Sequence, residues 1–209
     1  MYNPPAFRET DLPFIHETMR SARLANLVLA TAQGLVANPL PLLLDATEGP
    51  HGVLYGHVSR ANGLWKESVL GDALAIFMGP DAYVSPSWYP TKQETGKVVP
   101  TWNYVAVHAH GPIEFFDDHE RLLDVVTRLT RLHEGQRAAP WAVSDAPADY
   151  IQSQLKGIVG FRLTISRLDA KRKMSQNRNA QDRAGVVAGL AGSGIDSEAL
   201  VAGLIPKES

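Results

Sequence analysis

Apolar positions along the chain follow two rhythms, and the change between them divides the molecule. Leu12, Ile15, Met19 and Ala22 recur at helical spacing after the capping residues Thr10 and Asp11, which predicts one amphipathic helix near the N-terminus. Residues 24–32 then form an apolar, strand-like run, and Gly34 punctuates it. Residues 35–44 read as a second strand broken by Pro39 and Pro41, so an edge or a bulge is expected rather than a central strand. After a turn at 48–52, residues 53–59 predict a strand with Val53, Tyr55 and His57 on one face. Short strands are expected at 73–78 and 82–85. A longer one is expected at 98–110, where Val99, Val105, Val107 and Ala109 share a face if Pro100 marks a bulge, and residues 113–116 continue it after Gly111-Pro112.

The second half is helical before it returns to strand. Asp117 or Asp118 caps a helix whose buried stripe is Leu122, Val125, Val126, Leu129 and Leu132, and residues 149–158 predict another. In 160–168, Phe161, Leu163 and Ile165 alternate with Arg162, Thr164 and Ser166, the mark of a half-buried strand. A basic run, Lys171-Arg172-Lys173, precedes two short helical segments at 182–190 and 197–204, separated by Gly192-Ser193-Gly194. Short strands in succession with helices inserted late predict an α+β fold built on an antiparallel barrel.

Composition narrows the functional classes. The 209 residues are 44% hydrophobic and carry a formal charge of −2, which gives no global attraction for nucleic acid. There is no cysteine, so disulfides, thiolate metal sites and Cys nucleophiles are excluded. No secretory signal is visible and no apolar run is long enough to span a bilayer, so a cytoplasmic protein without membrane contact is expected. Nucleotide-binding glycine motifs, a nucleophile elbow and the second histidine of HExxH are all missing. His108 and His110 share a strand face but lack a third ligand at diagnostic spacing.

Four segments concentrate polar and aromatic chemistry. Gly56-His57-Val58-Ser59-Arg60-Ala61-Asn62-Gly63 offers a guanidinium, a hydroxyl and an amide that suit a phosphate, and equally an ordinary exposed strand end. Tyr83-Val84-Ser85-Pro86-Ser87-Trp88-Tyr89 packs three aromatics and two hydroxyls into a turn. Thr101-Trp102-Asn103-Tyr104 supplies stacking faces and an amide suited to a flat heteroaromatic ring, a combination also common in cores and dimer interfaces. Lys171-Arg172-Lys173-Met174-Ser175-Gln176-Asn177-Arg178 offers charge for a phosphate, for DNA, or simply for solvent.

Taken in order, these segments resemble the PaiB-like family of FMN-binding negative transcriptional regulators. The resemblance begins at Met1-Tyr2 with Pro4, Pro5 and Phe7, and includes Phe77-Met78-Gly79-Pro80-Asp81-Ala82 before the second segment. It continues through Val99-Pro100, His133-Glu134, Pro140-Trp141 and Gly157-Ile158-Val159-Gly160-Phe161, and fades beyond about Arg183. Arg172 and Met174 stand where relatives tend to have Trp and Leu. The resemblance implies an antiparallel FMN-binding split β-barrel of the pyridoxamine-phosphate-oxidase type with peripheral helices, over residues 1–180. A C-terminal helical tail at 181–209 would pack on the barrel or on a partner. It implies a homodimer with FMN at the subunit interface. His57, Ser59, Arg60 and Asn62 would lie near the phosphate and ribityl chain. Thr101, Trp102, Asn103 and Tyr104 would lie along the ring, with Ser85, Ser87, Trp88 and Tyr89 beside it, and Lys173, Ser175, Gln176 and Arg178 would close the site.

The implied function is a negative transcriptional regulator or a flavin-dependent redox sensor. An FMN-dependent oxidoreductase or flavin reductase is the alternative, and a haem-binding or haem-degrading barrel a remote third. DNA is weakly supported as a partner, because residues 189–202 contain Asp196 and Glu198 but no Arg or Lys.

Overall fold

The computed structural model describes residues 1–22 and 24–206; the last three residues of the expected C-terminal tail, 207–209, lie outside the described residues. A 3-10 turn at Pro5–Phe7 leads into the two-residue strand β1 (Arg8–Glu9) and the helix α1 (Leu12–Ser21). Asp11 caps α1, its carboxylate accepting from the Phe14 N–H at 3.3 Å. β2 (Ala25–Thr31) and β3 (Gly34–Leu40) form an antiparallel hairpin in register from Ala25↔Leu40 to Thr31↔Gly34. β3 is an edge strand, as its proline predicts, and the chain breaks at Pro41 before β4 (Leu43–Asp45). β5 (Val53–Ser59), β6 (Ala73–Val84), α2 (Thr91–Thr95), β7 (Thr101–Gly111) and β8 (Ile113–Phe116) follow. Then come α3 (His119–Glu134), α4 (Ala148–Lys156), β9 (Ile158–Thr164), β10 (Arg167–Lys173), α5 (Ala180–Ala191) and α6 (Asp196–Leu204). The fold is α+β with antiparallel sheets, as expected. Among the described residues no helix is long and apolar enough to cross a membrane.

Several element boundaries differ from the periodicity. The two strands expected at 73–78 and 82–85 are one twelve-residue strand, β6. Gly79 makes this workable: a Cβ there would come within 2.9 Å of the Val105 Cβ, so the apparent breaker is the place where a neighbouring side chain approaches closely. β7 starts after Pro100, leaving Val99 outside it and exposed, while Val105, Val107 and Ala109 are buried. The strand expected over 160–168 is two strands, and Lys171-Arg172-Lys173 lies inside β10 instead of in a solvated loop. On α3 the stripe holds for Leu122, Val125 and Leu129, Val126 is partly buried, and Leu132 is 40% exposed.

The chain divides into two compact units. Unit one contains Met1–Ser21, Met78–Val107 and Asp169–Ser209; unit two contains Ala22–Phe77 and His108–Leu168. In unit two, β4-β5-β9-β8 form a four-stranded antiparallel sheet. β5 runs against β9 from Val53↔Thr164 to Ser59↔Ile158. α3 and α4 cover one face, where Leu43, Phe116, Leu122, Val125, Leu129 and Leu155 make a buried cluster. A Cβ on Gly56 would meet the Phe161 ring at 2.6 Å, so this position carries no side chain.

In unit one the strand order is β1-β10-β7-β6. One face is covered by α5 and α6, and Ala82, Val84, Tyr89, Val105, Met174, Val186, Leu190, Val201 and Ile205 form its core. The Trp88 segment lies against α5: a Cβ on Gly185 would fall on the Trp88 carbonyl oxygen, and one on Gly189 on the Trp88 indole. Glycine to alanine in an open helix gains about 1 kcal/mol. Here Gly185→Ala is expected to lower stability by about 1–2 kcal/mol, because the collision is with backbone. A lower denaturant midpoint at unchanged slope is the expected readout, and a raised midpoint would show that Trp88 does not press on α5.

Candidate functional site

Strand alternation in unit one sorts the third and fourth segments by face. On β7, Asn103 points toward the helical core and is 0% exposed, while Trp102 and Tyr104 point away. On β10 and just past its end, Arg172 and Met174 face the helices: the Arg172 guanidinium donates to the Leu204 carbonyl at 2.9 Å, and Met174 is fully buried. Lys171 and Lys173 therefore share the face of Trp102 and Tyr104. The Lys171 ammonium lies 5.2 Å from the centre of the Tyr104 ring and donates to the Tyr2 carbonyl at 3.3 Å. The Lys173 ammonium donates to the Thr101 hydroxyl and to the Trp102 carbonyl, both at 2.5 Å.

Beyond Lys173 the chain turns sharply, and two expected site residues build that turn. Ser175 has φ of 59°, a left-handed conformation unusual for a residue with a side chain. A buried pair holds it: the Asn103 amide donates to the Ser175 hydroxyl at 3.0 Å, and that hydroxyl lies 3.1 Å from Asn103 Oδ1. The Gln176 amide oxygen accepts from the Met174 N–H at 2.6 Å, its nitrogen donates to the Arg172 carbonyl, and the Arg178 N–H closes on the Ser175 carbonyl at 2.9 Å. Ser175 and Gln176 thus fix the backbone, and the turn positions Lys173 and Arg178. The Arg178 guanidinium stands 4.8 Å from the Tyr89 ring centre.

The segment 85–89 joins the same unit. Ser85 caps the 3-10 turn Pro86–Trp88 by accepting from the Ser87 N–H at 3.2 Å, and the Ser87 hydroxyl accepts from the Lys92 ammonium at 3.3 Å. Trp88 packs on α5 and Tyr89 is buried, where desolvation raises its phenol pKa. Asp182, at the start of α5, pins the following segment by accepting from the Thr91 N–H at 3.1 Å and its hydroxyl at 3.0 Å. Trp102 remains 52% exposed and Tyr83 43% exposed, and their rings meet edge to face with centres 6.0 Å apart.

These groups satisfy the chemistry of a flavin mononucleotide. Among the described residues, Lys171, Lys173 and Arg178 have no carboxylate partner. Burial, then the nearby charges of Lys171 and Arg178, push the Lys173 pKa below its ordinary 10.5. An anion bound there relieves that repulsion, as a phosphate would, and the exposed Trp102–Tyr83 pair offers a flat apolar surface for a ring. Lys171 and Tyr83, which open the fourth and second segments but lie outside the expected cofactor contacts, complete this strip. Alternation along β10 would have found Lys171, had the charged run been read as a strand.

The first segment lies in unit two, where its polar groups are engaged locally. The Arg60 guanidinium donates from Nε to the Lys156 carbonyl at 2.9 Å and from Nη2 to the Ile158 carbonyl at 3.2 Å, and Nη1 lies 3.6 Å from Asp117. Ser59 accepts from the Ala61 N–H at 3.3 Å, and the Asn62 amide donates to Asn38 at 3.1 Å. His57 is different: its Nδ1 is buried without a hydrogen-bond partner, and desolvation lowers its pKa below the ordinary 6.5. The folded state therefore takes up this proton less readily than the unfolded chain. Stability should be full above about 6.5 and fall as the pH drops toward and through the depressed folded value. His57→Gln is expected to flatten the acid limb of a Tm-against-pH curve, and an unchanged limb would exclude this role for His57.

Comparison with known proteins agrees with this chemistry. The chain is 32% identical to a protein of Emericella nidulans named "Uncharacterized protein AN0679", with 98% of this chain and 96% of the relative covered. It is 33% identical to "Protease synthase and sporulation protein PAI 2" of Bacillus subtilis, with 91% of this chain and 89% of the relative covered. The flavocytochrome Anf3 of Azotobacter vinelandii shares the fold, with a TM-score of 0.56, 15% identity, and 85% of this chain and 75% of that one covered. The family described as "Putative FMN-binding domain" matches residues 1–167. The chain belongs to this FMN-binding family, and FMN is the cofactor that membership assigns to it.

Proposed function

We propose that the chain is a homodimeric FMN-dependent redox protein of the cytoplasm that serves as a flavin-based redox sensor. The observation that carries the reading is the strip on unit one, where exposed Trp102 and Tyr83 stand beside cations with no carboxylate partner among the described residues. Lys173 and Arg178 would hold the phosphate, and Trp102 would lie along the isoalloxazine. Thr101 supplies a hydroxyl beside Lys173, and the Asn103–Ser175 pair keeps the turn rigid. The flavin supplies the electron chemistry when bound, so the protein's task is to bind, orient and shield it. A second subunit over the strip would remove the exposed aromatic surface from water, which supports the dimer.

A regulatory role through direct DNA reading has less physical support. α5 and α6 contribute Val186, Leu190, Val201 and Ala202 to the core of unit one. Their described residues include one cation, Arg183, and it is buried with its guanidinium donating to the Arg178 carbonyl at 2.8 Å. Such a pair has no cationic face for a phosphate backbone. An FMN-dependent oxidoreductase acting on a small substrate is the second reading, favoured by the same exposed strip. Steady NAD(P)H consumption by the FMN-loaded protein separates them: the sensor is expected to reduce stoichiometrically and stop, and sustained turnover would establish the enzyme. Salt-resistant, sequence-dependent DNA retardation would overturn the view that its helices do not read DNA.

A further inference from the structure

On α3, Leu123, Thr127, Thr130 and Arg131 recur at i, i+4, i+7 and i+8, so they share one face of the helix beside its buried stripe. On α4, Ala148, Ile151 and Gln152 share a face by the same spacing. These two faces and the 3-10 turn Val143–Asp145 line a pocket of about 370 Å³, within the lower range of small-molecule sites. Leu123 and Ile151 also pack against the core of unit two, which anchors the apolar part of the lining. The turn is held by its own bonds: the Asp145 carboxylate accepts from the Ala142 N–H at 2.8 Å, and the Ala146 N–H closes on the Val143 carbonyl at 3.3 Å.

Charge decides what can enter. No Asp or Glu lines the pocket, so a cationic ligand would lose its hydration without a partner. Arg131 is the single cation of the lining, and it makes no ion pair among the described residues. The acids near it in sequence are committed elsewhere: Asp124 to Arg128 at 3.5 Å, Glu134 to Arg137 at 3.1 Å, and Asp145 to its own turn. The side chains of Thr127, Thr130, Ser144 and Gln152 make no hydrogen bond among the described residues. Each of these four is at least partly exposed, so a ligand can reach it. One guanidinium among neutral donors suits a monoanion, because its planar fork matches a carboxylate and the hydroxyls and amide can satisfy the remaining lone pairs. A dianion would keep one charge unpaired. Leu123, Val143 and Ile151 offer an apolar wall that a bare anion would leave unused.

We propose that this pocket binds a small monocarboxylate with an aromatic or branched apolar body, its carboxylate on Arg131 and its body against Leu123, Val143 and Ile151. An exposed ion pair alone contributes little, so affinity requires both halves of the ligand.

Calorimetric titration of the full chain with phenylacetate, with FMN absent and with FMN in excess, tests the assignment. Saturable binding is expected, equal in both conditions. Acetate, which lacks the body, and phenylacetamide, which lacks the charge, should each bind about tenfold more weakly or worse. Arg131→Met, at an exposed position, should weaken phenylacetate about tenfold and bind it no better than phenylacetamide. Ala148→Trp, exposed at the start of α4, fills the pocket and should weaken both ligands at least about tenfold at unchanged Tm. Absence of saturable phenylacetate binding, equal affinity for acetate or for phenylacetamide, or wild-type binding by both variants would overturn the proposal. Displacement of phenylacetate by FMN would overturn it too, by giving the pocket to the flavin.

Discussion

Lys173→Glu is expected to weaken FMN binding by about a hundredfold or more. A charge-assisted hydrogen bond from Lys173 to phosphate contributes about 1.5–3 kcal/mol. Reversal places a carboxylate beside the phosphate as well, so the loss exceeds simple removal, and about 2.8 kcal/mol corresponds to a hundredfold. Lys156→Glu, on an exposed residue of unit two, makes the same change in net charge and controls for it. An equal loss in both variants would mean that the phosphate answers to overall charge or lies nearer residues 57–62.

The same lysine dictates a pH dependence. Its pKa is depressed in the free protein by burial, then by Lys171 and Arg178. A bound dianion raises it, so the complex holds more protons than the free protein between the two values. Binding with proton uptake weakens as pH rises, and FMN affinity should fall through that alkaline window. Lys173→Met should bind weakly without this particular dependence.

The second large effect is expected at Asn103, which is buried completely and bonds only to Ser175 among the described residues. Asn103→Leu keeps the volume but leaves the Ser175 hydroxyl buried without its partner, at a cost of about 1–3 kcal/mol. Ser175 also sits at φ of 59°, a conformation that persists only while its surroundings hold it. The turn should relax, and chemical denaturation should show a loss of about 3 kcal/mol once the strain of the branched side chain is included. FMN affinity should fall along with it, because the turn sets the spacing of Lys173 and Arg178. A stable variant with unchanged affinity would show that the turn forms without Asn103.

Much of the fold was legible because hydrophobic periodicity reports burial on a single face. β7 and α3 each have such a face, marked by Val105, Val107, Ala109, Leu122, Val125 and Leu129, whereas β5 buries residues of both faces, Val53 as well as Leu54 and Val58. Periodicity failed where another constraint governed the residue. Gly79-Pro80 reads as a break, yet it lies within β6 because Val105 needs the space a side chain would occupy. Lys171-Arg172-Lys173 reads as a solvated run because charge masks alternation, although Arg172 is drawn inward by the Leu204 carbonyl. In the candidate site, residue chemistry identified the donors but not their partners. Arg60 carries the guanidinium a phosphate would want, but it bonds the carbonyls of Lys156 and Ile158, remote in sequence. Ser175 and Gln176 are polar enough to suggest ligand contacts, and their side chains also build the turn. Those distinctions arise from tertiary contacts between distant segments, which local patterns do not carry.

The central claim is that unit one's aromatic and cationic strip holds the flavin, and fluorescence titration of FMN with the purified full chain tests it most directly. The account predicts saturable quenching of flavin emission by the wild type, with Trp102→Leu leaving most of the emission unquenched at saturating protein. Unquenched FMN with the wild type, or equal quenching and affinity in Trp102→Leu and Lys173→Met, would contradict it.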